Sequence, residues 1–388
     1  MSQPTVIVEA GFGATMLTDL FGWTDISAYF RDGTISRGRT SVDGRFETGT
    51  ATVTLDNRDG RFTPSNTSSP YYPDVQIGIP MRIRATWDSV TYPLFYGTVR
   101  AWPPSTPPGN IDSTVTVPLV DGFYTLQLED LAQVSYDVET TDERITSVLT
   151  TIGWPLGLVD LDAGIATVQA TDFAQPETGG EQPALQHLLD VAESEIGVLF
   201  MAPSGEVTFR NRIASSGASP VATFDGSDDY THIDLAYNDD YLWNVVRVER
   251  EDGAQVEIDA SGAAPRRVLT RDVMPMGTDA EALSVAKWLT IIFGEQRLRV
   301  TGLRFKPMRD TSLMSQILAI ELRDLVTVQH APPGGDSLDQ DCAVEFITHE
   351  IAPQDWTTTL QLAPLSSLET ADFFILDTSV LDGTDLLA

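Results

Sequence analysis

The hydrophobic period of this chain changes twice along its length, from two to about 3.6 and back to two, and this order limits the folds open to it. In the first third, residues 50–55, 81–87 and 114–119 alternate polar and apolar side chains, as strands with one buried face do. Turn residues at 56–60 and a proline-rich loop at 103–109 separate such runs. Residues 1–137 are therefore predicted to form a β-barrel or a β-sandwich.

Helical spacing replaces this alternation after residue 140. One predicted helix has Thr141 as its N-cap and carries apolar side chains at i, i+3, i+4 and i+7, namely Ile145, Val148, Leu149 and Ile152. A second predicted helix has Pro183 in its first turn and ends at Gly197, and a β-hairpin follows it at 198–210. Two helices and a hairpin predict a small α+β insert over residues 138–214.

Strand patterns return after the insert, with one further helix among them. That helix begins with a capping box formed by Thr278 and Glu281, and it ends at Gly294. Strands are predicted at 243–248, 256–258, 298–305, 317–322, 325–329, 343–351 and 356–362, with a loop at 332–341. Residues 215–365 are therefore predicted to form a second β domain with one helix. The fold class that follows is mainly β with an α+β insert.

Acidic residues are in large excess, and this limits the partners of the protein. Lysine and arginine number 24 against 56 aspartates and glutamates, which gives a net charge of −32. Such a chain repels phosphate and anionic membranes, so a basic DNA-binding groove is not expected, although an acidic channel wall would keep passing DNA from adhering. The sequence shows neither an apolar run of about 18 residues nor a signal peptide, which predicts a soluble protein made in a cytoplasm.

Residues with the chemistry for catalysis or metal binding are few. Cys342 is the only cysteine, which excludes an internal disulfide and a multi-cysteine zinc site. The four histidines lack the spacing of metal ligands; they are His187, His232, His330 and His349. They are expected at the surface or with ordinary hydrogen-bond partners, and His187 is expected on a helix among solvated neighbours. No catalytic, metal or cofactor-binding residue and no cofactor is predicted, and the chain is predicted not to be an enzyme.

Three local patterns have a second interpretation. The carboxylate pairs at 228–229, at 239–240 and of Glu193 with Glu195 are expected on solvated faces, with a cell-wall hydrolase as the alternative. Residues 56–60 resemble the start of a calcium loop, but Thr67 stands where that loop needs its last glutamate, so a turn is predicted. Gly11 and Gly13 lack the third glycine of a dinucleotide-binding loop.

The last residues, 366–388, combine dense apolar clusters with aspartates. Such clusters are unusual in a tail that only interacts with solvent. We therefore predict a docking segment that becomes ordered against a neighbouring protein, with a disordered tail as the alternative.

Several segments resemble the minor tail proteins of long-tailed phages (siphoviruses) that infect actinobacteria. In the first part of the chain these segments are residues 23–27, 36–39, 47–57, 59–64 and 93–97. Further along, residues 184–195, 205–210, 238–240 and 243–244 are similar to the hub architecture of tail tips and contractile baseplates. The resemblance covers about residues 1–365.

The resemblance implies two tube-like β-barrel domains flanking the α+β insert, in the order that the hydrophobic periods give independently. It also implies a homotrimeric ring at the virion tail tip that continues the tail tube and lets the tape-measure protein and then DNA pass, without specific DNA binding or membrane insertion. The acidic excess is then expected to line the channel. The implied partners are the distal tail protein, the tape-measure protein and other tail-tip or fibre proteins. The alternatives are a hexameric distal tail ring and a host receptor-binding tip protein.

Overall fold

The computed structural model describes residues 3–18, 21–41, 44–108, 111–173, 181–214, 218–226, 229–237, 242–293, 298–309, 311–335 and 337–364. The predicted docking segment 366–388 and the predicted helix end at Gly294 lie outside these residues. Within them the fold is mainly β with a mixed α+β part in the middle, as predicted.

The first part of the chain consists of strands. Side chains alternate between buried and less buried positions at residues 50–55, 81–87 and 114–119, which confirms the three strands predicted there. The strands of this part are β1 (Thr5–Ala10), β2 (Thr24–Asp25), β3 (Phe30–Gly38), β4 (Glu47–Asp56), β5 (Pro80–Trp87), β6 (Val90–Val99), β7 (Pro104–Ser105) and β8 (Thr114–Val120).

The middle part contains the two predicted helices, the predicted hairpin and a short helix that the sequence did not suggest. The elements are α1 (Gly122–Leu128), β9 (Asp130–Ala132), β10 (Ser135–Tyr136), β11 (Glu139–Thr140), α2 (Thr141–Thr151), β12 (Val159–Leu161), β13 (Thr167–Val168), β14 (Thr171–Asp172), β15 (Glu181–Pro183), α3 (Ala184–Glu193), β16 (Val198–Met201) and β17 (Val207–Arg210). Strands β16 and β17 pair antiparallel, with Val198 opposite Arg210 and Met201 opposite Val207.

The last part returns to strands and contains two helices among the described residues. Its elements are β18 (Ala222–Phe224), β19 (His232–Ala236), β20 (Val245–Arg250), β21 (Val256–Asp259), β22 (Val268–Met274), α4 (Asp279–Phe293), β23 (Arg299–Phe305), α5 (Thr311–Ala319), β24 (Leu325–His330), β25 (Leu338–Ala352) and β26 (Asp355–Pro364). The capping box of α4 is confirmed, because the Thr278 N–H donates to Glu281 Oε2 at 2.8 Å and the Glu281 N–H donates to Thr278 Oγ1 at 3.2 Å.

One long sheet connects the beginning of the chain with its end. Its strands follow the order β19-β23-β26-β25-β3-β4-β8-β6-β5-β1-β2, and β24 pairs with the first residues of β25. Strand β25 lies antiparallel to β3, so that Ile347 is opposite Arg37 and Ile351 is opposite Gly33. Strands from both predicted β domains therefore belong to one continuous hydrogen-bonded sheet.

Three apolar clusters hold these layers together. One packs the helices of the middle part against the last strands, with Leu188 and Val326 among its fully buried members. A second fills the first β part around Val53 and Met81. The third lies between the small sheet β21-β20-β22 and helix α4, around Val246. Burial of this apolar surface is the main favourable contribution to folding, at about 25 cal/mol per Å².

The strand predicted at residues 317–322 is wrong, because residues 317–319 belong to helix α5 and residues 320–322 form no strand. The short apolar run at 317–320 also fits helical spacing, since the buried side chains around it form two i, i+4 pairs. Met314 and Leu318 pack in the cluster of the first β part. Leu313 and Ile317 pack in the cluster around the middle helices. The helix therefore joins two cores.

Three predicted boundaries also differ from the structure. The N-cap of α2 is Thr140, whose N–H donates to the Glu143 carboxylate at 3.1 Å, because the hydroxyl of Thr141 points inward instead. Helix α3 ends before Gly197, and Ile196 takes the left-handed conformation with φ 58°. The loop predicted at 332–341 ends earlier, because the β24–β25 hairpin continues its pairing to Leu338.

Candidate functional site

Two of the four histidines are buried and take part in internal packing. His349 on β25 has its Nδ1 atom 3.0 Å from Thr358 Oγ1 and receives the indole N–H of Trp356 at 3.4 Å. Burial, together with the charge of Arg37, lowers the pKa of His349 to about 3, so the ring is neutral at physiological pH.

His187 is also buried, which contradicts the expectation of solvated neighbours. Helix α3 turns this residue inward, where its ring stacks on Tyr136 and meets Phe173 edge to face. Burial and the nearby Arg144 lower the pKa of His187 to about 4. The other two histidines agree with the prediction: His232 is exposed beside Asp234, and His330 lies 2.9 Å from the Tyr230 hydroxyl.

The two glutamates at 193 and 195 have separate structural roles. Glu193 accepts hydrogen bonds from Arg45 at the surface. Glu195 is fully buried, and its Oε2 atom accepts from the Thr141 hydroxyl at 2.8 Å and from the N–H groups of Ile165 and Ala166 at 2.9 and 3.0 Å. Burial raises the pKa of Glu195, although these donors oppose the change. The pair therefore does not form two facing catalytic carboxylates.

The remaining candidates show no convergence on a site. Asp228, Asp239 and Asp240 lie outside the described residues, whereas the Asp229 carboxylate accepts the N–H of Asp225 at 2.9 Å. The described part of the chain contains no group of three or more histidine, cysteine, aspartate or glutamate side chains placed to hold a metal ion. Cys342 is buried in β25.

The segments at 56–60 and at Gly11 have structural explanations. The Gly60 N–H donates to Asn57 O at 3.0 Å, which confirms the predicted turn. Hydrogen bonds from Arg58 lower the pKa of Asp56 to about 2, so this carboxylate is already paired with a cation. At Gly11 a Cβ atom would lie 2.4 Å from the Phe21 ring, so the glycine is required for close packing.

A buried arginine connects the long sheet with the hairpin and with the segment after α5. Arg37 on β3 has a side chain that is 5% exposed, and it donates to both carboxylate oxygens of Glu321 at 2.8 Å. The same guanidinium donates to Met201 O at 3.3 Å. One side chain therefore connects segments from the first part, the middle part and the last part of the chain.

A second buried ion group is centred on Glu345 of β25, close to the position where β25 pairs with Arg37 of β3. The side chain of Glu345 is 4% exposed and accepts from Arg39 Nε at 2.7 Å and from Arg323. Burial raises the pKa of Glu345, but the two arginines outweigh this effect and leave it below its ordinary value. This group and the Arg37 pair lie where β25 meets β3, so they fix the junction between the two ends of the chain.

The polar face of the long sheet carries mainly hydroxyl groups. Across neighbouring strands, Thr34 Oγ1 lies 2.7 Å from Thr52 Oγ1, and Thr348 is paired with both Ser36 and Thr359. The exposed carboxylates of Asp32 and Glu350 stand among them. The hydroxyl-bearing residues of this face are Thr34, Ser36, Thr50, Thr52, Thr54, Thr116, Thr348, Thr357 and Thr359. We call this surface the hydroxyl face.

A cleft of about 820 Å³ opens where the β16–β17 hairpin faces the segment between α5 and β24. Part of its lining is apolar and comes from Pro93 on β6, from Val221 and from Leu325. Its charged lining residues are Asp160, Glu206, Arg210, Glu321, Arg323 and Asp324. All three parts of the chain therefore contribute to one cleft.

The turn of the hairpin beside the cleft depends on Gly205. Its φ is 104°, and a Cβ atom there would lie 2.5 Å from the ring of Tyr96 on β6. We expect Gly205→Ala to lower the free energy of unfolding by about 2 kcal/mol, through backbone strain and displacement of the tyrosine. Urea denaturation measures this change. Gly157→Ala is the matched control, because no atom lies within 4 Å of its added methyl group; an equal loss in both variants would contradict this explanation.

The fold is shared with phage tail proteins. The structure matches the 43 kDa tail protein of prophage MuSo2 from Shewanella oneidensis with a TM-score of 0.60 and 13% identity, covering 93% of this chain and 98% of that chain. It matches a tail protein from Neisseria meningitidis MC58 with a TM-score of 0.62 and 12% identity, covering 94% and 98%. A prophage tail protein from Listeria monocytogenes EGD-e gives a TM-score of 0.50 and 11% identity, covering 92% and 94%.

At these identities the similarity concerns the fold, and it extends along nearly the whole chain. No family model matches the sequence, and no curated protein matches it. Among the helices of the described residues, none has the length and apolar character to cross a membrane.

Proposed function

We propose that this chain is a structural hub protein at the tail tip of a long-tailed actinobacteriophage, where three copies form a ring that continues the tail tube. The observation that carries the proposal is the long sheet, in which strands from both ends of the chain share one hydroxyl face. The fold that the chain has in common with phage tail proteins, over more than nine-tenths of its length, supports the proposal.

In this proposal the β domains 1–137 and 215–365 stand side by side around a channel, with the insert 138–214 attached to them. The hydroxyl face lines the channel and offers DNA mainly neutral contacts, with Asp32, Glu350 and Arg304 as exposed charged groups on it, so the lining is less acidic than the sequence led us to expect. Carboxylates act on phosphate over a Debye length of about 8 Å at physiological salt, so the acidic excess of the chain opposes adhesion. The tape-measure protein and then DNA pass without a basic groove that would hold them.

We infer that the role is structural rather than catalytic. The buried His187 and His349 are neutral and engaged in internal packing, and Glu195 accepts three internal hydrogen bonds. The proposed partners are the distal tail protein, the tape-measure protein and other tail-tip or fibre proteins, with residues 366–388 as a docking segment toward one of them.

The copy number in the assembled tail tests the proposal. We expect native mass spectrometry of the isolated tip ring to give three subunits of 42.3 kDa, and electron cryomicroscopy of the virion to place them at the tail tip with the hydroxyl face toward the channel. Six copies would favour a distal tail ring instead. A single copy in the finished particle, or a channel lined by another surface of this chain, would contradict the proposal.

A further inference from the structure

We propose that the cleft beside the β16–β17 hairpin is a docking site for a short segment of a neighbouring tail protein, one that presents an arginine next to an apolar side chain. The proposal rests on the proposed function for one point, namely that the partner is another protein of the phage tail. The recognition itself follows from the residues that line the cleft.

Two carboxylates that line the cleft have no partner in an ion pair within the described residues. Arg210 binds Asp160 and Asp162, and Arg323 binds Glu345. Glu321 forms an ion pair with the buried Arg37. Within the described residues, Glu206 and Asp324 make no ion pair, so the lining carries an uncompensated negative charge that is complementary to a guanidinium or ammonium group.

Asp324 is the stronger of these two recognition groups. It is a partly buried lining residue of the cleft, and its Oδ2 atom accepts the Glu321 N–H at 2.8 Å. Burial is the main cause that raises the pKa of Asp324 to about 6; the charge of Glu321 acts in the same direction, whereas the Glu321 N–H and the charge of Arg210 oppose it. A carboxylate in such surroundings gains more from an incoming cation than a fully solvated carboxylate does, because little of its charge is screened by water.

The apolar part of the cleft would receive the neighbouring side chain. Val221 is 57% exposed although it adjoins the buried Leu325, and Pro93 and Ala319 add further exposed apolar surface. A volume of about 820 Å³ accommodates a few residues of a peptide. Because β6, the hairpin and the segment 318–325 all line the cleft, an occupant would bridge the three parts of the chain.

A peptide titration of the full-length protein tests this inference. The probe is fluorescein-labelled Leu-Arg-Leu-amide, and Leu-Gln-Leu-amide with the same label is the neutral comparison. We expect the arginine peptide to bind at least tenfold more tightly, and Asp324→Asn to remove this difference. Asparagine retains an oxygen that accepts the Glu321 N–H, so the variant should keep its fold, which circular dichroism verifies.

The matched control is Glu350→Gln, which makes the same change in net charge on the exposed hydroxyl face. It should leave binding unchanged. We also expect the affinity to fall as the pH is lowered through about 6, because protonation neutralises Asp324. Equal binding of both peptides, or equal losses in the two variants, would overturn the docking site by showing only diffuse electrostatic attraction. Neither outcome alters the copy number, so the ring proposal is tested separately.

Discussion

Replacing Glu345 by glutamine is expected to lower the free energy of unfolding by about 3 kcal/mol, because it leaves two arginines beside an uncharged group in a buried position. In the native protein, Glu345 neutralises both Arg39 and Arg323 from a side chain that is only 4% exposed. Chemical denaturation at neutral pH measures the change. Since β25 joins β3 at this point, the variant should also expose the sheet junction to faster hydrogen exchange.

The pH dependence of this loss provides a second test. The folded-state pKa of Glu345 lies below its ordinary value of 4.5, so its contribution is fully present above that pH. It disappears as the pH falls through the folded-state pKa, and the difference between native and variant protein should shrink in the same range. Glu350→Gln, on an exposed position of the same strand, should cost less than about 0.5 kcal/mol. Equal losses in the two variants would disprove the role of the buried ion group.

Replacing Arg144 by methionine is expected to cost about 4 kcal/mol, since it removes the cation at the centre of the insert. The side chain is fully buried on α2 and donates to Glu139 Oε2 at 2.7 Å, to Gln169 O at 2.9 Å and to Thr171 Oγ1 at 3.1 Å. Methionine fills most of the volume but satisfies none of these partly buried acceptors, which all lose the charged donor, and only Gln169 O keeps another donor, the Thr171 hydroxyl.

Arg144→Lys separates charge from geometry. Lysine retains the charge but lacks the planar fork of donors, so we expect it to recover less than half of the loss. Hydrogen exchange of α2, together with urea denaturation, measures both variants. A methionine variant as stable as the native protein would show that the network is replaceable by packing alone, as is known for some buried ion groups.

Local patterns predicted much of the fold. The hairpin β16–β17 follows from two apolar runs around Pro203 and Gly205, and the capping box at Thr278 and Glu281 marks the start of α4 correctly. These features depend on residues that are close together in the sequence, so they can be recognised from a local pattern. Helix α5 was mistaken for a strand because its short apolar run satisfies both periods, and only its position between two cores decides in favour of the helix.

The buried ion groups could not be predicted in this way. Arg37 and Glu321 lie 284 residues apart, and Arg39 and Glu345 lie 306 residues apart. In the sequence each is an ordinary charged residue of a strand or loop. The pairing of β25 with β3 brings Arg39 to Glu345, and the segment after α5, which is hydrogen-bonded to β25, brings Glu321 to Arg37. The cleft is likewise formed by segments from three parts of the chain, so no single motif indicates it.

The pairing of β25 with β3 also has a consequence for synthesis on the ribosome. Strand β3 emerges early, yet the strand that covers its free edge follows about 300 residues later, as the separation of Arg39 and Glu345 shows. At a translation rate of about 5–20 residues per second, that edge of β3 stays unpaired for roughly 15 to 60 seconds. During this interval the nascent chain exposes unpaired backbone groups that favour aggregation. Folding of the first β part is therefore completed only after translation has nearly ended.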